Sequence, residues 1–425
     1  MFHAMVSTAL SIAETCQTAK RASRALAALC SGVKDEALEA IAAALTQSTE
    51  QILEANARDL EAGEENGLSA ALLDRLALDP GRIAGMAAGV RKIAALPDPV
   101  GEVIDGSTLP NGLQMRRVRV PLGVIAVVYE ARPNVTIDAA ALCLKSGNAV
   151  VLRGSSSAAH SNAVLAAVAS DAATAAGLPP GAMSLVAGGG REELAELATQ
   201  TGVVDLIIPR GGEGLKAALK GVATVPVIYA ASGNNHVYVD AGADLEAARA
   251  IVLNAKLQRP GTCNAAEKLL IHAGEADQFL PDVLGALHEA GVTVHGDERA
   301  RRAAPGLPID AATDEDWDTE YLALELAVAV VDSVEDAIAH VNTHGSGHSE
   351  AIVTPSTAAA RAFQLGVDAA CVYVNASTRF TDGGEFGMGA EIGNSTQKLH
   401  ARGPIGLREL CTFKYLVEGA GHARA

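Results

Sequence analysis

Three features of the sequence predict an α/β fold. Apolar residues make up 49% of its 425 positions, aromatics only 3%, and 42 are glycine, a balance that suits helices packed closely on a sheet and opposes disorder. From about residue 6 to 95, apolar residues recur at three- and four-residue spacing, as in Ala37-Leu-Glu-Ala-Ile-Ala-Ala-Ala-Leu45, the period of amphipathic helices. After them, short apolar runs alternate with loops and helical segments, the βαβ rhythm of a parallel sheet covered by helices. A chain of this length buries large cores and divides into two or three domains.

Taken in order, the helical stretch is punctuated by turns at Glu65-Asn-Gly67 and Asp79-Pro-Gly81. Residues 113–120 alternate polar and apolar side chains, as an exposed strand does. Pro121-Leu-Gly123 then leads into a run to Tyr129 that is apolar on both faces, the pattern of a buried parallel strand. Strands at 149–152, 183–186 and 204–208 each precede a loop and a helix. Two of these loops, Arg153-Gly-Ser-Ser-Ser157 and Pro209-Arg-Gly-Gly212, are rich in small residues and free N–H groups and carry an arginine, as phosphate-facing loops at strand ends do. A tight connection with no ligand reads the same way, and no G-x-G-x-x-G fingerprint is present. From about residue 230 a second α/β lobe begins, with strands at 237–239, 268–271, 327–331, 350–353 and 371–374, a glycine-rich segment at 382–389 followed by a short helix, and a last strand at 410–416.

The formal charge of -17 opposes a phosphate backbone and so argues against nucleic-acid binding; an anionic substrate would need a local basic pocket. Six cysteines, at 16, 30, 143, 263, 371 and 411, form no C-x-x-C pair, which fits a reduced cytosolic chain without disulfides. The apolar runs are too short for a membrane span, and Glu14 with its polar neighbours breaks any signal-peptide pattern. Lys20, Arg21 and Arg24 resemble a transit peptide less than an ordinary first helix. His340, His344 and His348 share four-residue spacing, but Gly345 and Gly347 break the helix that would align them, so no metal site is expected.

The candidate nucleophile is Cys263, in Asn254-Ala-Lys-Leu-Gln-Arg-Pro-Gly-Thr-Cys-Asn264. It follows a Pro-Gly turn and precedes the helix-forming run Ala265-Ala-Glu-Lys-Leu269, where free N–H groups and a helix dipole would favour the thiolate. Lys256 and Arg259 add positive charge, and Gly261 lets backbone approach a ligand. The competing reading is a small, inert, buried thiol. Ser377, Thr378 and Arg379, after the strand ending at Val374, offer hydroxyls and a guanidinium suited to a substrate carboxylate; a solvated loop arginine fits the spacing equally well.

Several long, ordered stretches carry a resemblance over nearly the whole chain: Pro121-Leu-Gly-Val-Ile-Ala-Val-Val-Tyr-Glu-Ala-Arg-Pro-Asn-Val-Thr136, Lys145-Ser-Gly-Asn-Ala-Val-Val-Leu-Arg-Gly154, Ile208-Pro-Arg-Gly-Gly212, Gln258-Arg-Pro-Gly-Thr-Cys-Asn264 and Gly383-Gly-Glu-Phe-Gly-Met-Gly389. The chain resembles the gamma-glutamyl phosphate reductase family of the aldehyde dehydrogenase superfamily. The resemblance implies an aldehyde dehydrogenase-like fold: a Rossmann-like NADP-binding domain at 1–107 and 125–234, a catalytic domain at 235–400, and a small β oligomerisation flap at 108–124 and 405–420. It implies NADPH-dependent reduction of L-glutamate 5-phosphate to the semialdehyde and phosphate, in proline biosynthesis, with functional coupling to glutamate 5-kinase and a homo-oligomer, dimer or tetramer, in the cytoplasm. Cys263 would be the nucleophile, with Asn134 and the Cys263 N–H stabilising the oxyanion. Arg153, Gly154, Ser155, Ser156, Ser157, Gly211, Gly212 and Glu320 would bind the cofactor.

The chain departs from the superfamily in two places. Hydrolytic aldehyde dehydrogenases resemble it at 231–235 but place a water-activating glutamate where Ser232 and Gly233 stand, and their cofactor loop commonly reads Lys-Pro-Ser-Glu where Arg153-Gly-Ser-Ser156 stands. The first departure protects a thioester from water; the second removes an acid that disfavours a 2′-phosphate, so NADPH is expected over NADH. Two alternatives stay open: oxidation of another small aldehyde, and a catalytically silent binding protein of the same fold.

Overall fold

The structure, a computed structural model, describes residues 10–186 and 190–424. The chain divides into two compact units, one formed by Met1–Tyr229, Met388–Gly393 and Ile405–Ala425, the other by Ala230–Gly387 and Asn394–Pro404. The first few positions of the helical stretch expected from residue 6 lie outside the described residues.

Unit 1 begins with helices Ile12–Leu26, Ser31–Gln47, Thr49–Glu65, Ala70–Leu76 and Pro80–Ala94. The first is set by a capping box: the Ser11 hydroxyl accepts from the Glu14 N–H at 3.2 Å while Glu14 accepts from the Ser11 N–H at 2.9 Å. Strands β1 (Val103–Thr108) and β2 (Gln114–Pro121) then form an antiparallel hairpin. The parallel sheet follows: β3 (Val124–Tyr129), β4 (Ala149–Arg153), β5 (Met183–Leu185) and β6 (Leu206–Arg210), in the order β5-β4-β3-β6. Every residue of β3 is buried, as its apolar run requires, because it pairs on both edges and is covered on both faces.

Unit 2 holds β7 (Asn235–Val239), β8 (Ala266–His272), β9 (Thr293–Gly296), β10 (Asp310–Ala311), β11 (Glu325–Val331), β12 (Ser349–Val353) and β13 (Cys371–Val374), a parallel sheet in the order β10-β9-β11-β8-β7-β12-β13. Its strands alternate faces. Val237, Val239, Leu269, Ile271, Val328 and Val330 pack into one core with helices Leu245–Leu257 and Ala276–Glu289. Tyr238, Leu270, Ala329, Val331 and Ile352 join Phe363 and Val341 on the other face. Each fully buried large apolar side chain of this kind contributes about 1.5–3 kcal/mol. The expected short helix after residue 389 is absent; turns and a two-residue hairpin, β14 (Asn394–Ser395) with β15 (Gly403–Pro404), take its place. Finally β16 (Cys411–Glu418) returns to unit 1 and completes the three-stranded order β1-β2-β16.

Candidate active site

Cys263 is half-buried in the turn between the helix Leu245–Leu257 and β8. The expected helix after it is a strand: Ala266–His272 pairs in parallel with both β7 and β11, and that pairing overrides the helix propensity of Ala-Ala-Glu-Lys-Leu. No helix N-terminus therefore faces the thiol from this segment. Nor does Lys256 lend it charge, since its ammonium is buried and donates to Glu267 at 2.9 Å. Burial lowers the Lys256 pKa and raises that of Glu267, so the pair neutralises itself inside the core. The cation that does reach the loop is Arg379, whose Nε donates to Gln258 Oε1 and Nη1 to Thr262 Oγ1, both at 2.9 Å. Burial depresses its pKa, the nearby charge of Arg259 adds to that effect, and Cys263 opposes it. Among the buried thiols elsewhere in the chain, desolvation pushes Cys16 up to about 11 and Cys411 up to about 12.

The loop is held by amides. Asn235, the first residue of β7, donates through Nδ2 to the carbonyls of Gly233 (3.0 Å), Cys263 (2.9 Å) and Ala265 (2.6 Å), and its Oδ1 accepts from the Ser349 N–H at 3.1 Å. Asn234 donates to the carbonyls of Trp317 and His344, each at 2.7 Å. Asn264 donates to the Thr381 carbonyl at 3.0 Å. Gly233 donates its N–H to Glu320 Oε1 at 2.6 Å, and a Cβ there would stand 1.5 Å from the Cys263 carbonyl oxygen, so no side chain fits. Beneath these loops, Glu350 accepts from the His236 N–H at 2.6 Å and faces its Nδ1 at 3.1 Å, both residues fully buried. Burial drives the His236 pKa far down and that of Glu350 far up, leaving a neutral pair.

Unit 2 thus brings Cys263, Glu320, Ser377, Thr378 and Arg379 around one loop, but not all as direct ligand contacts. Thr378 is fully buried and its hydroxyl donates to the Asn264 carbonyl at 2.7 Å; Ser377 is buried and its hydroxyl accepts from the Arg379 N–H. Both hydroxyls support the loop; for Thr378, whose only O–H is spent on the Asn264 carbonyl, this corrects the expected role as a free donor to a carboxylate, whereas Ser377 accepts and keeps its O–H. His340 and His344 end the helix Val334–His344 with rings 4.7 Å apart, while His348 lies beyond it, buried before β12.

In unit 1 the remaining candidates line the C-terminal edge of the four-stranded sheet. Asn134 opens the helix Asn134–Lys145 and donates to Asp138 at 2.9 Å. Arg153 is buried and donates to the Gly190 carbonyl at 2.6 Å, so it braces the sheet edge. Gly154 is a packing requirement, because a Cβ would meet Asn162 Nδ2 at 2.1 Å. The Ser155 hydroxyl accepts from the Ser157 N–H, and Ser156 is exposed. At the start of the helix Glu213–Val222, the Gly212 N–H donates to Glu130 Oε2 at 3.0 Å, and Glu130 lies where a Cβ on Gly211 would clash. This helix end already receives an anion, the property a nucleotide phosphate needs.

Comparison with known proteins decides the family. The model of the aldehyde dehydrogenase family matches residues 1–305. Gamma-glutamyl phosphate reductase of Thermobifida fusca is 57% identical over 97% of this chain and 98% of its own, and that of Moorella thermoacetica 58% identical over 98% and 99%. The crystal structure of gamma-glutamyl phosphate reductase from Thermotoga maritima superposes with a TM-score of 0.95 at 44% identity, covering 98% of this chain and all of that one. The chain belongs to the gamma-glutamyl phosphate reductase family, among the aldehyde dehydrogenases.

Membership of a gamma-glutamyl phosphate reductase family makes the chain an oxidoreductase of a superfamily that uses nicotinamide cofactors. Among the described residues no helix is long and apolar enough to cross a membrane. The residue that sequence reasoning missed is Asn235. Its signal was an Asn-Asn pair directly before an apolar strand, where an amide can serve several loop carbonyls at once.

Proposed function

We propose that the chain reduces L-glutamate 5-phosphate with NADPH to L-glutamate 5-semialdehyde and phosphate, through a thioester on Cys263, as the second step of proline biosynthesis from glutamate. The supporting observation is Gly233. Where hydrolytic relatives of the resemblance keep a water-activating glutamate, this chain has a position with no room for any side chain, packed against the nucleophile's own carbonyl. A thioester there lacks the glutamate that would activate water from the place of Ser232 and Gly233.

The Cys263 sulfur attacks the acyl carbon, the C–O bond to phosphate breaks, and its electron pair leaves with the phosphate. The Cys263 N–H and Asn134 are the proposed donors to the transient oxyanion. NADPH supplies the hydride when bound, held by the 153–157 loop, Gly211, Gly212 and Glu320. When aldehyde is released the C–S bond breaks and its electron pair returns to Cys263. Arg379 would receive an anionic group of the substrate. The chain would act as a homo-oligomer through the β1-β2-β16 sheet, functionally coupled to glutamate 5-kinase, which makes the acyl phosphate.

The test runs the reaction backward with NADP+, glutamate semialdehyde and inorganic phosphate, following reduced-nicotinamide absorbance. Phosphate-dependent NADPH formation is expected. Formation independent of phosphate would instead support an oxidative dehydrogenase, and none at all a silent binding protein. Cys263→Ser should abolish turnover while leaving NADPH binding nearly intact, measured by nucleotide fluorescence.

A further inference from the structure

The side chain of Arg379 is half-buried and fixed, yet among the described residues no carboxylate pairs with it; Cys263 and Asp382 attract it only at a distance. Its Nε and Nη1 are held by two neutral acceptors, Gln258 Oε1 and Thr262 Oγ1, both on the loop that carries Cys263. Its Nη2 end is unengaged among the described residues. Arg259, on that same loop, lies near enough for the two guanidinium charges to repel, and neither residue forms an ion pair among the described residues. Asp382 attracts Arg379 from a distance, but its carboxylate accepts from the Gly384 N–H at 2.8 Å and is committed to its own turn. The Arg259 side chain is exposed, and its carbonyl accepts from the Thr262 hydroxyl at 2.8 Å, so loop and arginine are tied together.

The repulsion between the two guanidiniums on and against the loop that carries Cys263 is relieved when an anion joins them. We infer that Arg259 and Arg379 form a two-guanidinium cradle for the phosphate group that leaves the acyl carbon. This rests on the function proposed above. The position favours phosphate over the substrate's distant α-carboxylate: Arg379 is bonded to Thr262, the residue immediately before Cys263, and the phosphate is the anion directly attached to the carbon that Cys263 attacks. A phosphate dianion presents several oxygens to two planar forks, and the charge it gains on departure is where fixed cations lower the barrier. Lys256, buried against Glu267, cannot take this part.

The experiment uses the full-length protein and Arg259→Gln, a change at an exposed side chain, with Arg259→Lys as the conservative partner. In the backward reaction, KM for inorganic phosphate should rise about tenfold or more in Arg259→Gln, with KM for the semialdehyde and for NADP+ within about twofold of the parent, and Arg259→Lys should recover part of the loss. An unchanged KM for phosphate, or a rise in KM for the semialdehyde instead, overturns the cradle. A second measurement needs no turnover: inorganic phosphate should slow alkylation of Cys263 by iodoacetamide, read by mass spectrometry, in the parent and not in Arg259→Gln. Equal protection of both, or of neither, overturns it. If the parent shows phosphate protection but no phosphate-dependent NADPH formation, the cradle stands and the proposed reaction falls.

Discussion

A methyl group at position 233 would lie 1.5 Å from the Cys263 carbonyl oxygen and 2.8 Å from its Cα, so Gly233→Ala must move the nucleophile's backbone. A displacement of about 1 Å at a reacting centre costs on the order of a hundredfold in rate, and kcat should fall by about that factor while NADPH affinity is retained. Asn235→Ala removes a donor that serves the Gly233, Cys263 and Ala265 carbonyls, and each buried carbonyl left bare costs about 1–3 kcal/mol. Its melting temperature should therefore drop together with activity, which separates it from Cys263→Ser, where only activity is lost. For the cofactor, Ser156→Glu places an acid on an exposed loop position, and kcat/KM for NADPH should fall about ten- to a hundredfold with NADH little changed. Equal use of both cofactors by this variant would remove the loop from 2′-phosphate recognition. The Pro-Gly turn that singled out Cys263 is matched by a half-buried thiol in a loop, unlike the buried cysteines 16, 143, 371 and 411. Individual residues were illegible where a hydroxyl or lysine has two uses: Thr378 and Lys256 looked like site residues and proved to be internal supports, because burial and partners are set by distant strands.

Among the elements, β12 carries a pH dependence. His348, just before that strand, is fully buried; desolvation lowers its pKa to about 4 from the ordinary 6.5. The unfolded chain thus binds a proton near pH 6.5 that the folded chain refuses until about 4. Stability from this group is fully present above 6.5 and is lost as pH falls toward 4, at up to about 1.4 kcal/mol per pH unit. Glu350 works in the opposite sense: its raised pKa makes the folded state the better proton binder above 4.5, so its contribution declines as pH rises. His348→Gln should therefore flatten the acid side of a plot of melting temperature against pH between 6.5 and 4; an unchanged slope would show that His348 is protonated in the folded state. Elements were legible where one period dominated. The apolar run of β3 announced a buried parallel strand, and the first helices followed their spacing. β1 escaped notice because Val103-Ile-Asp-Gly-Ser-Thr108 is exposed along its whole length and shows no alternation. Residues 268–271 were expected as a strand, but the start of β8 was mistaken for a helix because it is alanine-rich, and its neighbours in the sheet decide otherwise.

For the whole molecule, the β1-β2-β16 sheet leaves Phe413, Tyr415, Leu416 and Val417 exposed, Tyr415 by 55% and Val417 by 53%. A run of large apolar groups on one strand favours burial against another subunit. Sedimentation should show an oligomer at micromolar concentration, and Tyr415→Asp with Val417→Asp should shift it toward monomer without loss of fold by circular dichroism. A monomeric parent would refute this. The general architecture was readable from composition and rhythm, and the family resemblance set the last strand beside residues 108–124; composition and rhythm alone revealed neither that return nor that of residues 388–393 to unit 1, since no local pattern shows which of two sheets a late strand will join. That return has a consequence for biosynthesis. Pro121 in β2 pairs with Cys411 in β16, so one edge of β2 waits for nearly the whole remaining chain to be made. At about 5–20 residues per second on the ribosome, the delay lasts some tens of seconds. Throughout it the nascent protein carries an open strand edge of the kind that recruits other chains, and pauses in translation between β2 and β16 should lower soluble yield far more than pauses elsewhere.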